Sequence, residues 1–122
     1  MIKVLVVDDS PLNRELVRSM LEPFGYSVIM AAGVSQAIQL LGQRRFDLVV
    51  SDLHMPDQNG FDLLRALKSD PQLRDIKIVI HSATIMSEQD REDALRLGAL
   101  KFLMRPLDPQ TMLAAIEECL DR

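Results

Sequence analysis

Short apolar runs alternate along this chain with segments whose apolar residues recur at helical spacing. The runs are rich in valine, isoleucine and leucine, which is typical of buried strands. They predict strands at Lys3–Val7, Tyr26–Ala31, Phe46–Ser51, Ile76–His81 and Leu100–Met104. Because each run contains at least three consecutive apolar residues and does not alternate regularly with polar ones, we expect a sheet that is covered on both faces.

The segments between the runs have apolar residues three or four positions apart and capping residues at their ends. They predict helices at Pro11–Leu21, Gly33–Gln43 and Phe61–Lys68, a fourth that begins near Ser87 and ends at Leu97, and a fifth that begins at Asp108-Pro109. Ser10 is a suitable cap for the first helix, and Pro11 fits its first position. The apolar stripe of this helix consists of Leu12, Leu16, Val17, Met20 and Leu21.

Regular alternation of strands and helices predicts an α/β fold, a doubly wound five-stranded parallel sheet with helices on both faces. Right-handed crossovers leave few topologies, and the strand order 2-1-3-4-5 is a common one. In this order the first and third strands are neighbours at the switch point. Sheets of this type bind their ligands there, at the carboxyl ends of the strands.

The overall composition narrows the possible functions. A length of 122 residues predicts a single domain, 1–122, with a core large enough to need no disulfide or structural metal. The net charge of −4 argues against nonspecific nucleic-acid binding, and no apolar run approaches the length of a membrane span. The early acidic residues argue against a signal peptide. Cys119 is the only cysteine, which excludes an internal disulfide and suits the cytoplasm.

Polar residues end several of the predicted strands. Asp8 and Asp9 follow the first strand, Asp52 the third, Ser82 the fourth and Arg105 the fifth. The carboxyl ends of parallel strands meet at one edge of the sheet, so the predicted topology brings these side chains into one cluster. Turn-forming residues placed there by chance are the alternative explanation, with Ser82 as a turn residue and Arg105 as a surface charge.

Three carboxylates in such a cluster repel one another. At an effective dielectric constant near 20, each pair about 5 Å apart costs about 3 kcal/mol, so a proton or a cation must relieve the repulsion. An all-oxygen ligand set suits Mg²⁺, and no histidine and cysteine set has the spacing of a zinc site. With the charge neutralised, one carboxylate can attack a phosphoryl group. Ser82 can donate a hydrogen bond to a phosphoryl oxygen, and Arg105 can pair with another.

Four motifs resemble the receiver domain of two-component response regulators, which has a flavodoxin-like fold. They are VVDDS, SDLHMPDQNG, IVIHSA and FLMRP, and the resemblance extends over essentially the whole chain. It implies that Asp52 accepts a phosphoryl group from a histidine of a sensor kinase or of a histidine phosphotransfer protein. The phosphorylated form then binds a downstream effector protein or domain differently. This role is stoichiometric signalling, without direct binding to nucleic acid or membrane.

The resemblance also implies a role for individual site residues. Asp9 and Asp52 are expected to bind Mg²⁺ directly, together with the backbone carbonyl of His54, whereas Asp8 acts mainly through water.

For the phosphoryl group, the resemblance implies that the Ser82 hydroxyl and the Ala83 amide bind its oxygens. Phe102 is the switch aromatic whose orientation follows the movement of Ser82. The surface formed by the fourth helix, fifth strand and fifth helix is the expected output face.

Some residues depart from the family pattern. Arg105 replaces a lysine, and arginine is not equivalent to lysine at a phosphate site. Its guanidinium could instead hold Asp8 or Asp52 in the resting state. A cis peptide between Arg105 and Pro106 is implied by the resemblance. His81 is expected to be a packed or hydrogen-bonded imidazole.

Two alternative functions stay open at this stage. A magnesium-dependent phosphohydrolase with an aspartyl nucleophile would usually have a second aspartate two residues after Asp52, where His54 stands. A pseudo-receiver that is never phosphorylated and only binds partners would be explained by the change at Arg105.

Overall fold

A computed structural model describes residues 1–56, 58–82, 88–105 and 108–120 of the chain. The strands are β1 (Lys3–Val7), β2 (Ser27–Ala31), β3 (Leu48–Asp52), β4 (Lys77–Ser82) and β5 (Lys101–Met104). The helices are α1 (Pro11–Leu21), α2 (Val34–Gln43), α3 (Gly60–Ser69), α4 (Glu88–Arg96) and α5 (Pro109–Leu120), with a short 3₁₀ helix at Glu22–Phe24. The predicted elements are therefore all present, and most of their ends differ from the prediction by one or two residues.

The five strands are parallel and lie in the order β2-β1-β3-β4-β5, as predicted. The central strand, β3, is buried along its whole length, in keeping with its apolar sequence. β1 and β3 are neighbours, with Val7 opposite Ser51, so the residues that follow these two strands emerge side by side. The fold class and the switch point predicted from the sequence are confirmed.

Each face of the sheet is covered by its own apolar cluster, because successive strand residues point to opposite faces. Val4, Val6, Val50 and Val79 pack with α1 and α5 in what we call the α1/α5 cluster. Leu5, Val49 and Ile80 pack with α2, α3 and α4 in what we call the α2/α3/α4 cluster. Cys119 lies buried in the α1/α5 cluster, where it packs with apolar side chains.

The apolar stripe predicted for α1 is only partly buried. Val17, Met20 and Leu21 are in the core, but Leu12 is 77% exposed and Leu16 is 47% exposed. α1 begins at the carboxyl edge of the sheet, where β1 has just ended, so its first turns lie beside the strand ends and only its later turns cover the apolar strand surface. The predicted helical spacing is confirmed, and the buried part of the stripe is its carboxyl-terminal half.

The described part of the chain contains no helix that is both long enough and apolar enough to cross a membrane.

Candidate functional site

The end of β1 turns sharply around the side chain of Asp8. The backbone N–H of Ser10 donates to Asp8 Oδ1 at 2.9 Å, and Ser10 Oγ accepts from the N–H of Asn13, which caps α1. Arg14, one turn into α1, donates to the backbone carbonyl of Asp8 at 2.7 Å. Asp8 is fully buried, and its Oδ2 has no hydrogen-bond partner among the described residues. The fold thus fixes this carboxylate and leaves one oxygen without a donor.

Asp52 is the last residue of β3 and is only 4% exposed. The hydroxyl of Ser51 donates to the Asp52 carbonyl at 2.9 Å, and the Leu53 N–H donates to the carbonyl of His81 on β4 at 2.9 Å. The backbone on both sides of Asp52 is therefore tied down, so the position of its carboxylate is set by the sheet.

Asp8, Asp9 and Asp52 form a compact cluster of carboxylates. Each offers an oxygen, and these oxygens all lie within 4.8 Å of one another. Asp8 and Asp52 are buried, whereas Asp9 is exposed at the mouth of the cluster. Oxygen ligands from one exposed and two buried carboxylates suit a hard divalent cation that also keeps some of its water.

Arg105 reaches the same cluster from the end of β5. Its Nη2 donates to Asp52 Oδ1 at 3.1 Å, and both side chains are largely buried, with exposures of 16% and 5%. Its backbone N–H donates to the Ser82 carbonyl at 2.8 Å, which fixes where the side chain begins. Of the two resting partners considered for Arg105, Asp8 and Asp52, it is Asp52 that the guanidinium contacts.

Ser82 and Phe102 lie on the other face of the same sheet edge. Ser82 is the last residue of β4 and is fully buried, and Phe102 on β5 is 8% exposed within the α2/α3/α4 cluster. Phe102 is opposite Ile80 in the β4–β5 register, so Ser82 is its diagonal neighbour on the same face. The two side chains are therefore close enough for one to affect the other.

Residues 4–117 match the family model for the response regulator receiver domain. The chain belongs to this family. It is a receiver domain of two-component response regulators and functions in phosphorelay signalling. Proteins of this family are signalling proteins that interact with histidine kinases and effectors, and they bind Mg²⁺ at an acidic pocket.

Individual relatives agree with this assignment. The chain is 36% identical to an uncharacterized 14.6 kDa protein of Leptolyngbya boryana over 94% of its own length and 87% of the relative. It is 34% identical to PilH of Pseudomonas aeruginosa over 98% of both chains. The structure of the chemotaxis protein CheY4 of Vibrio cholerae is similar with a TM-score of 0.91, at 32% identity, over 98% of this chain and 99% of that one. Other relatives are longer, and in one of them the chain spans only 15% of the length.

Burial and crowding change the proton affinity of the two buried carboxylates of the receiver. Burial raises the pKa of Asp8, opposed mainly by the hydrogen bond from Ser10 and by the charge of Arg105. Burial is also the largest cause that raises the pKa of Asp52, and the charge of Asp8 adds to it, while Arg105 opposes the increase. The arginine therefore offsets part of the repulsion but does not remove it.

We expect Asp8→Asn to stabilise the metal-free receiver at neutral pH. The raised pKa means that the folded state binds more protons than the unfolded state above the ordinary value of 3.8, so stability falls as pH rises through the folded-state pKa. Asparagine keeps an acceptor for the Ser10 N–H and removes the charge. Urea unfolding with a chelator should give a gain on the order of 1 kcal/mol at neutral pH that disappears toward pH 4. A loss of stability at neutral pH would contradict this explanation.

Gly60 packs so closely against the backbone of Asp52 and Leu53 that there is no room for a side chain at this position. A Cβ at Gly60 would lie 3.0 Å from the Asp52 carbonyl oxygen, 3.1 Å from Leu53 Cα and 3.2 Å from Ile80 Cδ1. The Gly60 N–H donates to the Leu53 carbonyl at 2.8 Å. The first turn of α3 therefore packs directly against the backbone that carries Asp52.

Replacing Gly60 with alanine is expected to destabilise the receiver by about 1–3 kcal/mol, because the methyl group would displace rigid backbone and not a flexible side chain. Gly42→Ala is the matched control, since Gly42 lies in α2 and a methyl group added there would have nothing within 4 Å. There the same change should be neutral or stabilise by up to about 1 kcal/mol. Equal effects of the two substitutions in urea unfolding would refute the close-packing argument.

The other predicted residues have mixed outcomes. His54 is exposed just past β3, beside the cluster. Three predictions concern residues outside the described ranges: the role of Ala83, the start of the fourth helix near Ser87 and the cis peptide at Pro106. Asn59 caps α3: its side chain accepts from the Asp62 N–H, and the Asp62 side chain accepts from the Asn59 N–H.

His81 is the site residue whose surroundings were the hardest to predict from the sequence. It is directly opposite Asp52 in the β3–β4 register and is fully buried, so it is packed as expected. Neither ring nitrogen has a hydrogen-bond partner among the described residues, which the sequence did not suggest. A buried polar atom without a partner costs about 1–3 kcal/mol, so its presence calls for an explanation. The signal in the sequence is a histidine that directly follows three consecutive apolar residues of a strand, 78–80.

Proposed function

We propose that residues 1–122 act as one receiver domain in which Asp52 is the phosphoacceptor. The observation that carries this proposal is the carboxylate cluster at the end of the sheet, in which Asp52 is within 4.8 Å of Asp8 and Asp9 and is paired with Arg105 at 3.1 Å. Of the three carboxylates, Asp52 is the one that accepts a hydrogen bond from the guanidinium of Arg105 in the described structure. The donor is a phosphohistidine of a sensor kinase or histidine phosphotransfer protein in the cytoplasm.

In the transfer step, a carboxylate oxygen of Asp52 attacks phosphorus, a P–O bond forms, and the P–N bond to the donor imidazole breaks. The leaving imidazole takes up a proton. In this step Arg105 exchanges its bond with the carboxylate for one with a phosphoryl oxygen, and Ser82 donates to a second phosphoryl oxygen. Together with the Ala83 amide, these groups bind the negatively charged oxygens of the phosphoryl group on Asp52.

The proposed metal is Mg²⁺, held by Asp9, Asp52 and the backbone carbonyl of His54, with Asp8 acting through water. When bound, Mg²⁺ would neutralise the carboxylates and the phosphoryl oxygens during transfer. The all-oxygen donor set and the unpartnered Asp8 Oδ2 support this assignment. Because Asp9 is exposed, a cation bound there would be accessible to water and to the incoming phosphoryl group.

The test of this function is treatment of the purified protein with acetyl phosphate, followed by intact-mass measurement. One phosphoryl adduct should form with Mg²⁺ and none after addition of a chelator. Absence of any adduct in both conditions would favour the pseudo-receiver, which binds partners without being phosphorylated. Rapid turnover of a small phosphate ester would favour the phosphohydrolase.

The conformational change is proposed to involve Ser82 and Phe102, which are diagonal neighbours on one face. When Ser82 moves toward the phosphoryl group, it leaves space that the ring of Phe102 can fill. This movement would alter the surface of α4, β5 and α5, where Leu95, Leu100 and Met104 are exposed. An effector protein or domain is the proposed reader of that surface.

We also propose that Leu12 and Leu16 contact the histidine-bearing partner. They lie one turn apart on α1 and are both exposed, and α1 begins two residues after the Asp8-Asp9 pair. A donor histidine must approach Asp52 at this edge, so the protein that carries it would cover these two leucines. Burial of exposed apolar surface is a common source of affinity in such contacts.

Replacing Leu12 with glutamine is expected to slow phosphotransfer from a phosphorylated histidine phosphotransfer protein by about fivefold or more, because one buried leucine contributes on the order of 1–2 kcal/mol to a contact. Labelling by acetyl phosphate should be unchanged, since a small donor needs no docking surface. Phe24→Gln is the control: Phe24 is 64% exposed but lies in the 3₁₀ helix that follows the far end of α1. If both donors were equally affected by Leu12→Gln, the docking role would be excluded.

A further inference from the structure

Asp52 and His81 are side by side on the same face of the sheet. The register places Asp52 of β3 opposite His81 of β4. Val50 and Val79, two residues earlier on the two strands, both pack in the α1/α5 cluster. Because strand residues alternate between faces, the side chains of Asp52 and His81 leave the sheet on that same side.

The side chain of Arg105 must cross β4 to reach Asp52. It begins just past β5, and Leu103, two residues earlier, packs against the α1/α5 cluster, so Arg105 projects from this face as well. Two strand spacings, about 10 Å, separate β5 from β3. Arg105 nevertheless contacts Asp52 at 3.1 Å. His81 is opposite Asp52 on β3 and opposite Leu103 on β5, so it lies two residues before the level of Arg105. The arginine side chain must therefore extend back across the level of His81 to reach Asp52.

The polar atoms beneath this crossing are unsatisfied in the resting state. Nδ1 and Nε2 of His81 and Nε of Arg105 are all buried without a hydrogen-bond partner in the described ranges. Burial, assisted by the charge of Arg105, lowers the pKa of His81 to about 3, so the imidazole is neutral at physiological pH. A neutral imidazole has one acceptor nitrogen, and the Nε–H of Arg105 is a donor without an acceptor.

We propose that His81 is a positioning residue for Arg105: when a phosphoryl group is present on Asp52, the guanidinium turns toward it and Nε–H donates to the acceptor nitrogen of His81. This inference rests on the proposed phosphorylation of Asp52. The hydrogen bond from Nη2 to the Asp52 carboxylate breaks, and the terminal guanidinium nitrogens donate to phosphoryl oxygens. The imidazole then fixes the guanidinium by accepting from Nε–H. The step exchanges hydrogen bonds and breaks no covalent bond.

The pairing is specific to arginine. A lysine at position 105 has donors only on its terminal ammonium, which the phosphoryl group would engage, and it has no second donor along its stem for the histidine. The arginine in place of the family lysine and the buried histidine on the neighbouring strand thus form one unit, which a double-mutant cycle can detect.

The experiment measures affinity for beryllofluoride, a phosphoryl mimic, with Mg²⁺ in the native protein, His81→Val, Arg105→Lys and the double variant. His81→Val should weaken binding at least about threefold in the arginine background and have no effect in the lysine background. His81→Gln, whose amide oxygen can also accept, should bind within about twofold of the native protein. Urea unfolding without the mimic should show His81→Val no less stable than native, which separates positioning from a packing role.

Three results would overturn the proposal. The first is an unchanged affinity for the mimic in His81→Val. The second is an equal loss of affinity from His81→Val in the arginine and lysine backgrounds, and the third is a loss of affinity in His81→Gln as large as in His81→Val. Should the variants not fold, NMR of the native protein with labelled histidine and arginine gives the answer. A hydrogen-bond coupling between Arg105 Nε–H and the His81 ring should appear when the mimic is added, and its absence would overturn the proposal. If the native protein itself binds no mimic, the phosphoacceptor proposal fails with it.

Discussion

Asp52→Asn is expected to abolish the phosphoryl adduct formed with acetyl phosphate and Mg²⁺. An amide oxygen is too weak a nucleophile to attack phosphorus, and the substitution also removes one of the oxygens of the proposed cation site. Asp8 is buried with one oxygen fixed by Ser10, and Asp9 is exposed and not paired with Arg105 in the described structure. Neither is therefore placed to replace Asp52 as the acceptor.

The control for this experiment is Asp75→Asn, an exposed acidic residue at the opposite edge of the sheet, which should be labelled as the native protein is. Unfolding measurements should accompany the mass measurement, because Asp52→Asn leaves the buried guanidinium of Arg105 without its charged partner while also relieving repulsion with Asp8. An undiminished adduct in a folded Asp52→Asn protein would mean that another residue accepts the phosphoryl group.

The convergence of Asp8, Asp9, Asp52 and Arg105 could be predicted from the sequence because it depends on topology alone. Alternation of strands and helices determines a parallel sheet, and a parallel sheet brings all its carboxyl ends to one edge. The spacing between neighbouring strands then sets the distance between residues that follow them. This reasoning needs no detail of side-chain packing. For that reason the strand order and the clustering of these residues could both be predicted.

The features that the sequence did not predict are of two kinds. One depends on how far along a helix or strand a residue lies, and the other on which of several nearby groups becomes its hydrogen-bond partner. Periodicity identified the face of α1 that carries Leu12 and Leu16, but not that its first turn lies beyond the covered part of the sheet. The choice of Asp52 over Asp8 as the partner of Arg105 depends on the length of an extended side chain. The isolation of His81 depends on which donors and acceptors come near it in three dimensions, and periodicity carries no information about that.

Asp9→Asn is expected to weaken Mg²⁺ binding by about tenfold or more, which corresponds to about 1.4 kcal/mol. Asp9 is the exposed member of the cluster and supplies a charged ligand, and an amide oxygen is a poorer ligand for a hard cation. Stability without metal should change little, because the Asp9 carboxylate is largely hydrated in both the folded and the unfolded chain. This separates Asp9 from Asp8, whose replacement should stabilise the metal-free protein.

Two measurements on Asp9→Asn check each other. Calorimetric titration gives the affinity directly. Unfolding with and without Mg²⁺ gives it through linkage, since a cation at a hundred times its Kd stabilises the native state by about 2.7 kcal/mol. In Asp9→Asn that stabilisation should fall to about 1.4 kcal/mol or less at the same Mg²⁺ concentration. Unchanged affinity and an unchanged stability gain would show that the cation does not use Asp9, and the proposed ligand set would have to be abandoned. A lost stability gain with unchanged affinity would instead indicate that the unfolded chain of the variant binds Mg²⁺.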